Sequence, residues 1–249
     1  MRSPFSTLGL FAIIESGQTG ALTGASSRAE DPAIRGAFVI SGSAERAIPW
    51  EDEYLHHGTS FLMVEAVDTV HSSVEEVLAR EGVDLNTTVR PKFKARFKRR
   101  SHVGAFLAHR RVWGIVALMR PDALYLVLED DVVVEDVRRV LRTYRPPDPG
   151  LGLISVANVS AGGAGYAGGY LLRPSAARVL LRSMYQAYVR GPDGRISAVH
   201  WERPTIVMPV DMWLAYEGGR QVPFAQDRQI RYSAKMKEVD KLPLVRRRV

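Results

Sequence analysis

The segment LYLVLEDDVVV sets three carboxylates, Glu129, Asp130 and Asp131, directly after an apolar run. Side chains alternate along an extended chain, so Glu129 and Asp131 can point to one side. Two carboxylates held close together repel, and each raises the pKa of the other. A divalent cation relieves that repulsion. Hard oxygen ligands select Mg2+ or Mn2+, and such a cation can also hold a diphosphate. The competing reading is an acidic turn that caps the next helix through its dipole. A position at the end of a strand that is apolar throughout favours a ligand site, because open α/β sheets bind ligands outside the carboxyl ends of their strands.

A second group of polar residues lies on the helix expected over Val103 to Met119. Val103, Phe106, Leu107, Trp113, Val116 and Ala117 share a broad apolar face at 3.6-residue spacing, and His109 and Arg110 fall in the same arc. A buried arginine must be paired or hydrogen-bonded. Either the two reach a phosphate or sugar at the sheet edge, or Arg110 snorkels and His109 makes a structural hydrogen bond.

Two further stretches carry chemistry by composition. RPKFKARFKRR (Arg90 to Arg100) places seven cations around Phe93 and Phe97, which would share one face of a helix. This fits an anionic membrane or an acidic acceptor, since each basic side chain near such a surface is worth ~1 kcal/mol; a solvated basic face is the alternative. Arg246, Arg247 and Arg248 add to it. AGGAGYAGGY (Ala161 to Tyr170) reads as a surface loop or as one that closes over a ligand. It is no phosphate-binding fingerprint, because no helix opens at its end.

The elements that must position these groups alternate. Strands are expected at Ala37 to Ser41, Phe61 to Ala66, Ala123 to Leu128, Leu151 to Val156 and Tyr170 to Leu172. Helices are expected at Ser73 to Arg80, stopped by Gly82, at Val103 to Met119, at Val134 to Tyr144, and from Pro174 to about Tyr185. That alternation predicts an α/β domain with a mostly parallel sheet. Residues 1–35 hold a Gly/Ser/Thr/Ala-rich stretch with little to bury and are expected to form a loosely ordered extension; residues 36–249 form one domain.

A chain of 249 residues with 46% apolar and 24% charged residues can bury a full core, which excludes collagen-like and wholly disordered classes. The absence of cysteine excludes disulfide scaffolds, thiolate metal sites and cysteine nucleophiles, and it fits a reducing compartment. No apolar run reaches the roughly 18 residues needed to span a bilayer, and Leu8 to Ile14 makes a poor signal peptide. The expected location is the cytoplasm, with peripheral contact to the inner face of the membrane. A net charge of +7 suits phosphate, nucleic-acid or anionic-membrane partners, or simply solubility.

Several segments, in order, resemble glycosyltransferase family 25, which includes bacterial lipooligosaccharide galactosyltransferases and collagen galactosyltransferase domains. They are AFVIS with Glu45-Arg46, FLMVEAVD (Phe61 to Asp68), VGAFLAHRRVW (Val103 to Trp113), LVLEDDV (Leu126 to Val132), AGGYLLRPSAARVLL (Ala167 to Leu181) and MPVDMWL (Met208 to Leu214). The resemblance covers roughly residues 36 to 233. It implies a GT-A fold, a Rossmann-like nucleotide-sugar-binding sheet. It also implies a UDP-sugar donor, most often UDP-galactose, a glycan acceptor, a divalent metal at the acidic motif, and inversion at the anomeric carbon. By position, Glu129 and Asp131 become the metal or diphosphate contacts, with Asp130 beside them, and His109 matches the family's helix histidine. Asp211 matches the acidic residue of the later Pro-Val-Asp element.

An inverting transfer needs a base for the acceptor hydroxyl and a positive group for the leaving diphosphate. Asp211 is the expected base, and equally an N-cap for the run Met212 to Tyr216. Asp227 is next in line. Arg110 or Arg46 would assist the leaving group. Arg46, Asp68, His109, Arg110, Asp130 and Tyr170 are the expected substrate-binding residues. The chain departs from the family at Ser41-Gly42, where Asn-Leu is usual, and at Ala105 to Ala108, where a cysteine and a serine are usual. Both departures remove hydrogen-bonding groups near the donor site.

The expected function is therefore transfer of a hexose, galactose foremost, from a UDP-sugar to a glycan in cell-surface polysaccharide or lipooligosaccharide synthesis. Two alternatives stand beside it: a catalytically silent relative that binds partners, and a basic nucleic-acid-binding protein. Retention of all three carboxylates favours the enzyme. No recognised nucleic-acid module accompanies the basic segment, which disfavours the last.

Overall fold

The apolar runs of the sequence become the strands of one six-stranded sheet. A computed structural model describes residues 34–42, 60–69, 71–95, 97, 99–130, 133–134, 144–146, 150–155, 167–190, 193–218, 224–226 and 232–233. All of them belong to the unit Pro32–Val249. The sheet contains β1 (Ile34–Ser41), β2 (Ser60–Glu65), β4 (Leu124–Glu129), β6 (Leu153–Ser155), β7 (Gly169–Leu172) and β11 (Phe224–Gln226). Its spatial order is β11-β6-β7-β4-β1-β2. The β1–β2, β1–β4 and β6–β11 pairs are parallel, and β7 runs antiparallel to both its neighbours. The sheet is thus mixed and mostly parallel, as the alternation predicts, with one reversed strand. Ile34 and Arg35, expected within the extension, already belong to β1.

Both faces of the sheet are buried. Phe38, Tyr125, Val127 and Leu172 share one core with helix α2 (Ser101–Val116) and helix α3 (Pro174–Ser183). Val39, Leu126, Leu128, Leu171 and Ile154 are equally buried. Two-sided burial explains why these strands read as continuous apolar runs rather than alternating ones.

Helix α1 (Val74–Glu81) is bounded as its sequence demands. Ser73 Oγ accepts the Glu76 N–H, and Gly82 closes the helix at φ 64°. Pro174 opens α3 at its first position. Among its described residues the basic segment is not the expected amphipathic helix: Pro91–Phe93 form a 3-10 turn, and α2 starts only at Ser101. Phe97 is half-buried against the core, so it belongs to packing rather than to a membrane-facing stripe.

The remaining pieces are small. β3 (Asp84–Leu85) pairs with β10 (Thr205–Ile206), β8 (Gln186–Arg190) with β9 (Ile196–His200), and β5 (Val133–Val134) with β12 (Tyr232–Ser233). Val134, expected to begin a helix, is therefore a strand residue; residues 135–143 lie outside the described ones. Helix α4 (Val210–Trp213) continues into a π-helical turn, Leu214–Gly218. Phe106 of α2 holds α4 in place. Its ring centroid lies 5.7 Å from that of Trp113 and 5.4 Å from that of Trp213, both near-perpendicular. Such edge contacts add ~0.5–1.5 kcal/mol each beyond area burial.

Candidate functional site

The chain leaves β1 toward β2 on one side and later returns to β4 on the other side of β1. That divergence makes the carboxyl ends of β1 and β4 the topological switch point, where open α/β sheets bind ligands. A cleft opens there. Gly42 after β1, Asp68 and Thr69 after β2, Glu129 and Asp130 at β4, and Gly104 of α2 all line it. The first turn of α2 borders the cleft through Ser101, so a helix N-terminus with its partial positive charge faces the same space as the carboxylates. Thr69 Oγ donates to Arg100 O at 2.8 Å, which pins that first turn to the β2 exit.

Strand alternation sends the two described carboxylates in different directions. Glu129 follows Tyr125 and Val127 onto the α2 face, and its N–H donates to Gly168 O at 3.1 Å. Its Oε1 lies 3.1 Å from His109 Nε2. His109 is fully buried, with Nδ1 2.9 Å from Tyr170 Oη. Trp113 Nε1 donates to the same Tyr170 oxygen at 2.9 Å. Asp130 turns toward β1. Its N–H donates to Ile40 O at 3.0 Å, and Ser41 Oγ donates to its Oδ2 at 2.6 Å. The residue where the family usually carries Asn thus still supplies a hydrogen bond to the acidic motif, contrary to the loss expected there. Ala108 is wholly buried, so at that position the helix packs.

Asp211 sits at the second position of α4, where Pro209 is the cap residue and no side chain caps the helix. The N-cap reading is therefore overturned. Asp211 reaches instead to the start of β7, where its Oδ1 accepts the Ala167 N–H at 3.0 Å. Burial raises its pKa, and the nearby Glu129 raises it further; the Ala167 N–H, His109 and His102 pull it back down. Those influences show that Asp211, Glu129 and the α2 histidines share one neighbourhood.

Other expected contacts are placed differently. Arg110 does not reach the carboxylates. Its Nη1 lies 4.0 Å from Glu81 Oε2 at the end of α1, and burial lowers its pKa. Tyr170 and His109 are closed off from solvent, at 1% and 0% exposure, so neither is a direct substrate contact; they meet Glu129 from behind. Desolvation raises the Tyr170 pKa, and the phenol stays protonated. Asp68 does line the cleft, exposed, with Oδ2 3.0 Å from His71 Nδ1. Arg46, Asp131, Asp227 and residues 161–166 of the glycine-rich loop lie outside the described residues.

Three residues carry no expectation from the sequence as parts of this site: His102, Gly104 and Trp113; Ser41 is expected near it only as a lost hydrogen-bonding group. Trp113 follows His109 by four, so helical spacing already places both on one stripe. His102 lies seven before His109 on that stripe, and its Nδ1 is buried without a hydrogen-bond partner among the described residues. Gly104 carried no signal by itself. A Cβ there would fall on the Val67 carbonyl oxygen and 2.8 Å from Thr69 Oγ.

Among the described residues, no three His, Asp or Glu side chains gather as a metal site. The chemistry of the donors nevertheless suits Mg2+ or Mn2+. Glu129 and Asp130 are hard oxygen donors, and Oε2 of one and Oδ1 of the other are left by the hydrogen bonds above. A cation there would draw its other ligands from phosphate and water.

No protein-family model matches the chain, and no curated protein matches it. Among solved structures, the chain is similar to the crystal structure of a glycosyltransferase involved in the glycosylation of the major capsid of PBCV-1. The two share 13% identity and a TM-score of 0.41, over 77% of this chain and 81% of that one. A likeness so distant carries no argument about what this chain does.

Proposed function

We propose that this chain is a glycosyltransferase that moves a hexose from a nucleotide sugar to a glycan hydroxyl. The observation that carries the reading is the placing of Glu129 and Asp130 on one cleft at the switch point of the sheet, beside the N-terminus of α2, with Asp211 close enough to Glu129 to feel its charge. A cleft with carboxylates on one wall and a helix N-terminus on another suits a diphosphate and its counter-cation. The ordered segments that resemble glycosyltransferase family 25 favour a GT-A-type fold, UDP-galactose as donor, inversion, and a cell-surface polysaccharide or lipooligosaccharide product.

In this reading the acceptor oxygen forms its bond to the anomeric carbon as the bond to the diphosphate breaks. The acceptor proton passes to Asp211, whose Oδ2 is left by the Ala167 hydrogen bond to Oδ1. Its raised pKa brings the base closer to working pH, which favours proton transfer. Asp130, Glu129 and Asp131 would hold Mn2+ or Mg2+, which supplies charge neutralisation for the departing diphosphate. Exposed Lys92, Lys94, Arg99 and Arg100 support contact with an anionic membrane surface as part of the same proposal.

Calorimetric titration of UDP-galactose and UDP in Mn2+ and in chelator tests the reading. Wild type is expected to bind only with the cation, and Glu129→Ala to lose at least about tenfold in affinity. Equal, cation-independent binding by both proteins would sink it.

A further inference from the structure

Trp113, Tyr170, His109 and Glu129 form a hydrogen-bonded line from the core to the cleft, and donor chemistry fixes its direction. The Trp113 indole nitrogen can only donate, so Tyr170 Oη accepts at 2.9 Å. Tyr170 is 1% exposed, and its O–H needs an acceptor of its own. His109 Nδ1 at 2.9 Å can be that acceptor. A neutral imidazole accepting at Nδ1 carries its proton on Nε2, which faces Glu129 Oε1 at 3.1 Å. Every buried donor in the line then has an acceptor. The opposite tautomer would leave the Tyr170 hydrogen without a partner and turn a bare Nε2 lone pair toward a carboxylate. A buried polar group without a partner costs more than a net hydrogen bond contributes.

We infer that Trp113 and Tyr170 are positioning residues for Glu129, acting through His109 held as its Nε2–H tautomer. The line fixes Oε1 and leaves Oε2 for whatever occupies the cleft. In its bearing on turnover the inference rests on the glycosyltransferase reading; the tautomer does not.

Two measurements keep those apart. In long-range proton–nitrogen correlation spectra of 15N-labelled full-length protein, the His109 signals are those lost in His109→Gln. Wild type is expected to show a pyrrole-type Nε2 and a pyridine-type Nδ1. A proton on Nδ1, or signals averaged between tautomers, overturns the inference. Tyr170→Phe removes the donor to Nδ1 and should move the Nδ1 resonance off its hydrogen-bonded position, and an unmoved Nδ1 signal there would also overturn it.

The second measurement is consumption of UDP-galactose. Tyr170→Phe is expected to lower kcat by about 10–100-fold, the usual cost of removing a group that orients a ligating side chain through a hydrogen bond, with KM for the donor within about threefold. Gln can mimic the line, its carbonyl accepting from Tyr170 and its amide donating to Glu129, whereas Leu cannot. His109→Gln should therefore retain at least about ten times the kcat of His109→Leu. Equal losses in the two would reduce His109 to packing and refute the positioning role. Should wild type consume no nucleotide sugar, the functional reading fails while the tautomer measurement still decides the rest.

Discussion

Two adjacent residues of α2 serve opposite surroundings. His109 faces the sheet, wholly buried, and meets Glu129 at the end of β4. Arg110, one residue on and turned by about 100°, faces α1 and meets Glu81 beside Arg111. The first contact joins a wholly buried imidazole to a carboxylate that reaches the cleft, in a neighbourhood that also holds Asp211, so a change in charge there is felt by both acids. The second is a partly buried clamp between two helices, whose arginines keep 25% and 34% exposure, so that water and salt reach and screen it. The same helix thus builds a site with one face and secures its own position with another. Substitutions on the two faces should differ in kind: rate and pH response on the first, modest stability on the second.

The largest effect is expected from Asp211→Asn. If Asp211 is the base, transfer should fall by about 10²–10⁴-fold, while Asn keeps the hydrogen bond from Ala167. Stability offers an independent reading. The folded pKa of Asp211 is raised above 3.8, chiefly by burial. Between 3.8 and the folded value the native state binds more protons than the unfolded one, so Asp211 makes stability fall as pH rises through that window. Above the window its penalty is fully present. Asn carries no such penalty, so the variant should gain on wild type as pH rises from 3.8 and hold a constant lead thereafter. Denaturant melts across pH, with rates on the same preparation, check both halves. A rate within threefold of wild type would remove Asp211 from the chemistry.

The acidic end of β4 and the histidine helix were legible because each is a local pattern: a run of apolar residues ending in carboxylates, and a 3.6-residue stripe. Ser73 and Gly82 bounded α1 for the same reason. What could not be read was non-local. The antiparallel course of β7 depends on which neighbours Gly169–Leu172 finds, and four buried residues carry no sign of direction. The bond from Asp211 to Ala167 spans 44 residues, and capping statistics pointed to the wrong partner. Arg110 was placed on the correct helix but on the wrong side, because a broad apolar arc does not say where its edge lies. In the basic segment Pro91 and the turn after it interrupt the helical spacing that Phe93 and Phe97 suggested.

Between the two faces stands Gly104, which lets the first turns of α2 approach the β2 exit. In Gly104→Ala the new methyl would meet backbone at Val67, which cannot rotate away. The helix must shift, at a cost of about 1–3 kcal/mol in stability. The cleft that Gly104 lines should shift with it, so donor affinity should fall alongside the melting temperature. Ala at Gly114, on the same helix with nothing within 4 Å, is the control. It should be neutral or slightly stabilising, since Ala is the better helix former by about 1 kcal/mol. Equal behaviour of the two variants would show that the close approach is not what positions α2.

The smallest effect is expected at the clamp. Arg111 Nη2 lies 2.5 Å from Glu81 Oε1, and the arginine side chain is 34% exposed. Arg110 stays near Glu81 when Arg111 is removed, so the carboxylate is not left alone. Solvent screening limits such a pair to about 0.2–1 kcal/mol. Arg111→Ala should therefore lower stability by that much, and less in high salt, because screening shortens to ~3 Å at 1 M. Donor affinity and turnover should match wild type, since Glu81 and the cleft lie on different faces of α2. Melting in low and high salt, paired with one rate measurement, decides the matter. A rate loss as large as that of Tyr170→Phe would mean that the two faces are coupled through the helix, and the division between them would have to be given up.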